Sequence, residues 1–190
     1  MRRRTFLRSA AAAVPALGLH DLLAAQQSTT QPATPPSGQD LHVVGSGLDR
    51  MGQHHTQGFS SMLFKVMPSE TGGGLFLIEH EDLKPGGPAL HRHLYQEEWF
   101  YVMEGKVAFQ VGDQRLQLHS GDSVLAPRMI PHTFSAVGET PGRMLIAFTP
   151  AGKMEQFFRD SNGPVPAKDA PAWFRRYDME YMGPSPFWKS

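Results

Sequence analysis

The sequence predicts an all-β fold, a sandwich or barrel of short antiparallel strands. Three observations predict it. Short apolar and β-branched runs recur from about residue 41 to 150. Gly and Pro, 19 and 16 of the 190 residues, cluster between those runs. Val107 to Leu118 reads as a hairpin around Gly112-Asp113, which makes neighbouring runs antiparallel.

The chain opens MRRRTFLRSAAAAVPALGL, a basic stretch followed by a mildly apolar, Ala-rich run. That is the layout of an export signal, and the run is too short and too weakly apolar for an ordinary membrane span. Arg3-Arg4-Thr5-Phe6-Leu7-Arg8 resembles the twin-arginine signal, so the twin-arginine export machinery is an expected partner and the periplasm or exterior the expected location. Residues 1–25 are assigned to this signal. Cleavage after Ala25 would remove four Arg and one Asp and leave a mildly acidic chain. Residues 26–40, rich in Gln, Thr, Ser and Pro, cannot bury enough surface to offset chain entropy and read as a flexible linker.

The barrel is expected over residues 41–160. Its candidate strands are Ser61–Val66, Gly74–His80, Ala89–His93, Glu98–Glu104, Lys106–Val111, Gln114–Leu118, Ser123–Ala126, His132–Ala136 and Met144–Thr149. Turns fall at Pro85-Gly86-Gly87-Pro88, Glu104-Gly105, Gly112-Asp113, Ser120-Gly121-Asp122 and Thr140-Pro141-Gly142, where Gly supplies positive φ and Pro presets φ. Beyond Pro150 the pattern changes. Met154 to Arg159 reads as a short helix. Trp173, Phe174, Tyr177 and Tyr181 are spaced as one face of a helix over Pro171–Tyr181. Residues 161–190 are expected to pack on the barrel as a tail.

Composition excludes several classes. With no cysteine, disulfides, thiolate metal sites and a Cys nucleophile are ruled out. Formal net charge is zero and no basic stripe is present, so no nucleic-acid partner is expected. Any metal must be held by His and carboxylates.

Nine His residues are available, and three have informative spacing. His91 and His93 stand two apart on a strand, so both imidazoles face one side. Glu97 and Glu98 follow after a short turn, and His132 opens a later strand. The others, His20 in the signal apart, are His42, His54, His55, His80 and His119. They read as surface residues, His80 because Glu79 and Glu81 flank it.

The segments Gly87–Gly105 and Gly121–Ala136 resemble the two motifs of the cupin superfamily. The first carries His91-x-His93, a four-residue spacer, Glu98 and Gly105. The second carries Gly121, Pro127 and His132. The sequence departs from the pattern at Pro85, Met129 and Ala136, none of them a ligand position. The resemblance implies a double-stranded β-helix, or jelly-roll barrel, with short C-terminal helical segments. It implies one divalent metal ion held by His91, His93, Glu98 and His132, with Glu98 preferred to Glu97 by its step to Gly105.

Residues 107–158 and the ending Tyr177–Pro184 are similar to small single-domain bacterial cupins related to quercetin 2,3-dioxygenase. That resemblance implies a dioxygenase that uses O2 on a small phenolic or enolic substrate, with Glu98 as ligand and general base. Phe100 and Phe134, and more weakly Phe109 and Phe148, are expected to line its substrate pocket. A non-catalytic binding cupin and a non-redox cupin isomerase are the alternatives. The ligand set admits Fe, Mn, Ni, Co and Cu. Twin-arginine export carries folded proteins, so the ion would be chosen in the cytoplasm, where free Cu is scarce. This favours Fe or Mn. A homodimer is expected, because sheet edges need protection.

Overall fold

In the computed structural model, which describes residues 43–161 and 169–188, the alternation of the sequence becomes an alternation of burial. In β5 (Glu97–Glu104) and β10 (Gly142–Thr149) every second side chain is buried, which is the period of a strand with one face on a core. The remaining strands are β1 (His55–Thr56), β2 (Ser61–Val66), β3 (Phe76–Leu83), β4 (Leu90–His93), β6 (Lys106–Val111), β7 (Gln114–His119), β8 (Ser123–Ala126), β9 (His132–Ala136) and β11 (Met179–Gly183). Helices α1 (Met154–Asp160) and α2 (Ala170–Arg176) lie between β10 and β11. The export and linker readings at residues 1–40 lie outside the described residues.

The strands form two antiparallel sheets. One has the order β1-β2-β3-β10-β5-β8 and the other β11-β4-β9-β6-β7. Consecutive strands repeatedly change sheet, as in a jelly roll, which is the all-β architecture that the sequence predicts. The core lies between the sheets. Phe100 packs edge-on against Phe109 and Phe134, with ring centroids 5.1 and 5.5 Å apart. Such pairs add roughly 0.5–1.5 kcal/mol to the burial of the rings.

The predicted strands form with small shifts at their ends, and the hairpin of β6 and β7 pairs Val111 with Gln114. The tail differs from expectation. The helix predicted over Pro171–Tyr181 stops at Arg176. Asp178 takes a positive φ of 59°, and the chain re-enters the second sheet as β11 beside β4. Tyr181 therefore sits on a strand opposite His91. The tail joins the sheet that carries the three candidate His ligands.

Met129, which stands where the cupin pattern has Gly, also has positive φ (67°) and is 44% exposed. Its amide donates to the carbonyl of His93 at 2.8 Å, so the backbone shape is held without the glycine. That conformation costs an ordinary residue about 1–2 kcal/mol. Glycine escapes the cost and gives back part of the gain as chain entropy. Met129→Gly is expected to stabilise the fold by about 0.5–1 kcal/mol, seen as a small rise in the urea midpoint with unchanged slope.

Candidate metal centre

His91 and His93 project inward from β4, His132 projects inward from β9, and Glu98 reaches across from β5 in the facing sheet. Antiparallel register places His91 directly opposite His132. The chain passes from one sheet to the other between β4 and β5, which turns Glu98 toward the imidazoles. All four residues are buried, and their ligand atoms lie within 4.8 Å of one another. Glu97, one residue earlier, points outward and pairs with Arg128, whose Nη2 donates to Oε2 at 2.6 Å.

The donor set fits a cation. Nδ1 of His91 contacts the carbonyl of Ala89 at 2.8 Å and Nδ1 of His132 that of Ile130 at 3.0 Å. A carbonyl only accepts, so both Nδ1 atoms carry the proton and both Nε2 lone pairs are free. Yet His132 Nε2 lies 2.8 Å from Glu98 Oε2. With Nδ1 as the donor, that contact sets a lone pair against a carboxylate oxygen, and a cation or proton shared between the two would relieve it. His93 Nε2 is 2.9 Å from the same oxygen but is not aligned to it, and neither ring nitrogen of His93 has a hydrogen-bond partner. Donors on one ion with bonds of about 2.1 Å lie about 3 Å apart in cis and about 4 Å in trans. The cluster needs only small adjustment to reach that geometry.

Electrostatics agree. Burial alone would raise the Glu98 pKa, but the nitrogens of His132 and His93 outweigh it and hold the carboxyl well below the usual range. Burial, reinforced by the neighbouring imidazoles of His132 and His93, pushes His91 down to about 3, so it is a neutral ligand at neutral pH.

Beside the cluster lies a cavity of about 30 Å3. His91, His93 and Glu98 form one part of its wall, with Phe134, Phe148, Ile146, Phe59, Pro88, Gln57 and the helical residues Met154, Phe157, Phe158 and Phe174. Of the expected pocket residues, Phe134 and Phe148 reach it. Phe100 and Phe109 do not line it. They point inward as expected but sit in the packed core, Phe100 with its ring 6.0 Å from that of His132.

His80 corrects a second expectation. Its flanking glutamates predict a surface residue, but it is 1% exposed and lines the cavity. A signal is present in the sequence, since Phe76, Ile78 and His80 share the inward parity of β3. Glu79 faces outward, where Lys65 and Arg143 cover it. His55 is half-buried, with its ring stacked 4.1 Å from that of Phe64, while His54 and His119 are exposed. His42 lies outside the described residues.

Residues 79–148 match the family model described as Cupin domain, which supports the cupin superfamily. Two curated relatives are polyketide synthase proteins by name. The chain is 24% identical over 113 residues to tetracenomycin polyketide synthase protein TcmJ of Streptomyces glaucescens, covering 59% of this chain and 75% of that one. It is 29% identical over 84 residues to polyketide synthase CurC of Streptomyces cyaneus, covering 44% of this chain and 54%, about half, of that one. Among solved structures, a single-residue variant of Streptomyces PAC13 with uridine superposes with a TM-score of 0.50 at 9% identity, over 77% of this chain and 93% of that one. That likeness concerns the fold alone.

Proposed function

We propose that this chain is a metal-dependent enzyme acting on a small phenolic or enolic substrate, with dioxygen-dependent cleavage of a ring or carbon–carbon bond as its reaction. The observation that carries this reading is a buried cluster of three imidazoles and one carboxylate, of which His91, His93 and Glu98 form part of the wall of a cavity otherwise lined mainly by aromatic and aliphatic side chains. His91, His93, Glu98 and His132 would hold the ion, with Fe or Mn favoured. Such an ion supplies Lewis acidity and, when redox-active, a way for dioxygen to react with a singlet substrate.

The chain's own residues do the rest. Glu98 is buried and held ionised by the nitrogens of His132 and His93, so it would be the carboxylate that takes the proton of a phenol or enol bound beside it, although the same contacts weaken it as a base. Phe148 and Phe134 give a planar ring apolar surfaces and exclude water. A cavity of about 30 Å3 has room for one or two waters, not for a ring. Substrate binding therefore requires side chains of the cavity wall to move.

The names of the two Streptomyces relatives support the substrate class. A polyketide chain is a series of enolisable ketones, which are oxygen ligands of the kind this donor set would bind. The same observation favours a second reading without dioxygen, in which enolisation leads to ring closure or loss of water.

Oxygen uptake separates the two. The protein loaded in turn with Fe, Mn, Ni, Co and Cu would be offered flavonols, catechols and β-diketones. Uptake of one O2 per product is expected with at least one pair. No uptake in any combination sinks the dioxygenase reading, and product formed without uptake selects the second. Retention without conversion selects a binding protein.

We further propose export of the folded, metal-loaded chain by the twin-arginine pathway, and assembly as a homodimer. Replacing Arg3 and Arg4 by Lys is expected to leave the protein in the cytoplasm, and export of that variant would refute the route. A light-scattering mass of one chain would refute the dimer.

A further inference from the structure

The cavity has two polar ends, and the proposed reaction uses only one. His80 and Glu98 project inward from the same sheet. His80 pairs with Met144 and Glu98 with Phe148 on the intervening strand β10, so they stand two strands and four residues of register apart. Ile146 lies between them on the cavity wall.

Two aromatic rings pack on His80, and the carboxylates of Glu98 and Asp82 act on it at longer range. The ring of Phe59 stacks on it at 6.0 Å and that of Phe134 meets it edge-on at 5.8 Å. Its Nδ1 is buried with no hydrogen-bond partner. Buried polar side-chain atoms are nearly always paired, and an apolar side chain of similar size would avoid the desolvation cost. A buried nitrogen without a partner, on a side chain that lines the cavity, can meet a ligand atom once the wall moves to admit it. Burial pushes the His80 pKa down to about 4, so the imidazole is neutral near pH 7. It suits a single hydrogen bond to a neutral group better than an ion pair with a carboxylate or phosphate.

We propose that His80 is a specificity-determining residue that hydrogen-bonds, through Nδ1, a hydroxyl or carbonyl oxygen at the end of the substrate remote from His91, His93, Glu98 and His132. The inference rests on the reading that this cluster anchors the other end. It narrows the substrate class to planar phenols or enols bearing a second, distal oxygen function.

Two probes test it: 3,4-dihydroxyacetophenone, a catechol with a distal carbonyl, and 4-ethylcatechol, its apolar counterpart. Their affinities for metal-loaded wild type, His80→Phe and His80→Gln would be measured by calorimetry. The acetyl group alters catechol acidity equally in all three proteins, so the comparison is the ratio of affinities. The wild-type ratio is expected to exceed that of His80→Phe by about tenfold, one net hydrogen bond. His80→Gln should recover part of the difference, and metal content should be equal in all three.

Equal ratios in wild type and His80→Phe, or no binding of either probe to wild type, overturn the inference. Should His80→Phe fail to fold, the imidazole 15N shifts of wild-type His80 decide. They are expected to move with 3,4-dihydroxyacetophenone and not with 4-ethylcatechol, and no movement with the former overturns the inference. A wild type that takes up no metal but keeps the probe preference would instead remove the metal centre and leave His80 standing.

Discussion

His93→Ala is expected to lose the ion and the stabilisation that comes with it. His93 offers two buried nitrogens with no hydrogen-bond partner, and its Nε2 lies 2.9 Å from Glu98 Oε2, so its loss opens one corner of the donor set. For wild type, an ion present at a hundred times its Kd stabilises the fold by about 2.7 kcal/mol. In a chain of this size that is a rise in Tm of roughly 5–10 °C. The variant should show no such rise and less than about a tenth of the bound metal. Glu98→Gln keeps the shape but removes the only negative charge of the set. Partners one shell further out commonly cost 10–100-fold in affinity, so a loss on the order of 100-fold or more is expected here. Glu97→Gln is the control. It breaks an outward pair with Arg128 and should leave metal content unchanged. Equal metal content in wild type and His93→Ala, measured by mass spectrometry of the protein, would remove His93 from the site.

Gly87→Ala is expected to damage the fold from outside the ligand set. Gly87 has φ 70°, and a Cβ there would lie 1.7 Å from the carbonyl oxygen of Phe134. The contact is with backbone of β9 two residues beyond His132, so no side chain can rotate away. The turn is clamped to β9 on several sides. Gly86 N–H donates to Ser135 Oγ at 3.0 Å, and Thr133 Oγ1 donates to the carbonyl of Pro88 at 2.7 Å. Relieving the clash must move β4 away from β9, the two strands whose register sets His91 opposite His132. A cost of about 3 kcal/mol is expected, from overpacking added to a disfavoured φ, with a Tm lower by roughly 10 °C and weakened metal binding. Gly112→Ala is the comparison. It has a similar φ of 57°, but a Cβ there meets only the side chain of Ile130 at 3.6 Å. Its cost should be about 1 kcal/mol, the conformational part alone. Similar melts for the two variants would show that the close approach at Gly87 has no energetic consequence.

The four candidate ligands were legible because the two stretches that resemble the cupin motifs are local in sequence. His91 and His93 share a face by strand parity, and the step to Gly105 separates Glu98 from Glu97. The structure shows the reason for that choice, since adjacent residues on β5 face opposite ways and Glu98 alone turns inward. Phe100 and Phe109 mark where the reading stopped. Parity correctly put both on the inner face, but the inner face comprises a packed core and a cavity, and position along the barrel decides between them. The two flanking glutamates hid His80, because an outward Glu79 can itself be covered by Lys65 and Arg143. Phe157 and Phe174 carry no sequence signal of a cavity position, since helices cover whatever part of the sheet the chain brings them to.

By itself the sequence determined the strands, the turns, the inward faces and the four-residue donor set. The strands, turns and inward faces follow from a two-residue period and from the φ preferences of Gly and Pro, while the donor set is what the resemblance to the cupin motifs implies. Only the tertiary structure decided that His80 faces the cavity, that Phe134 and Phe148 line it while Phe100 and Phe109 do not, and that the last aromatic run becomes strand β11 instead of helix. Those outcomes depend on register between distant strands and on which elements cover them. A local pattern can say which way a side chain points, but not what waits for it there.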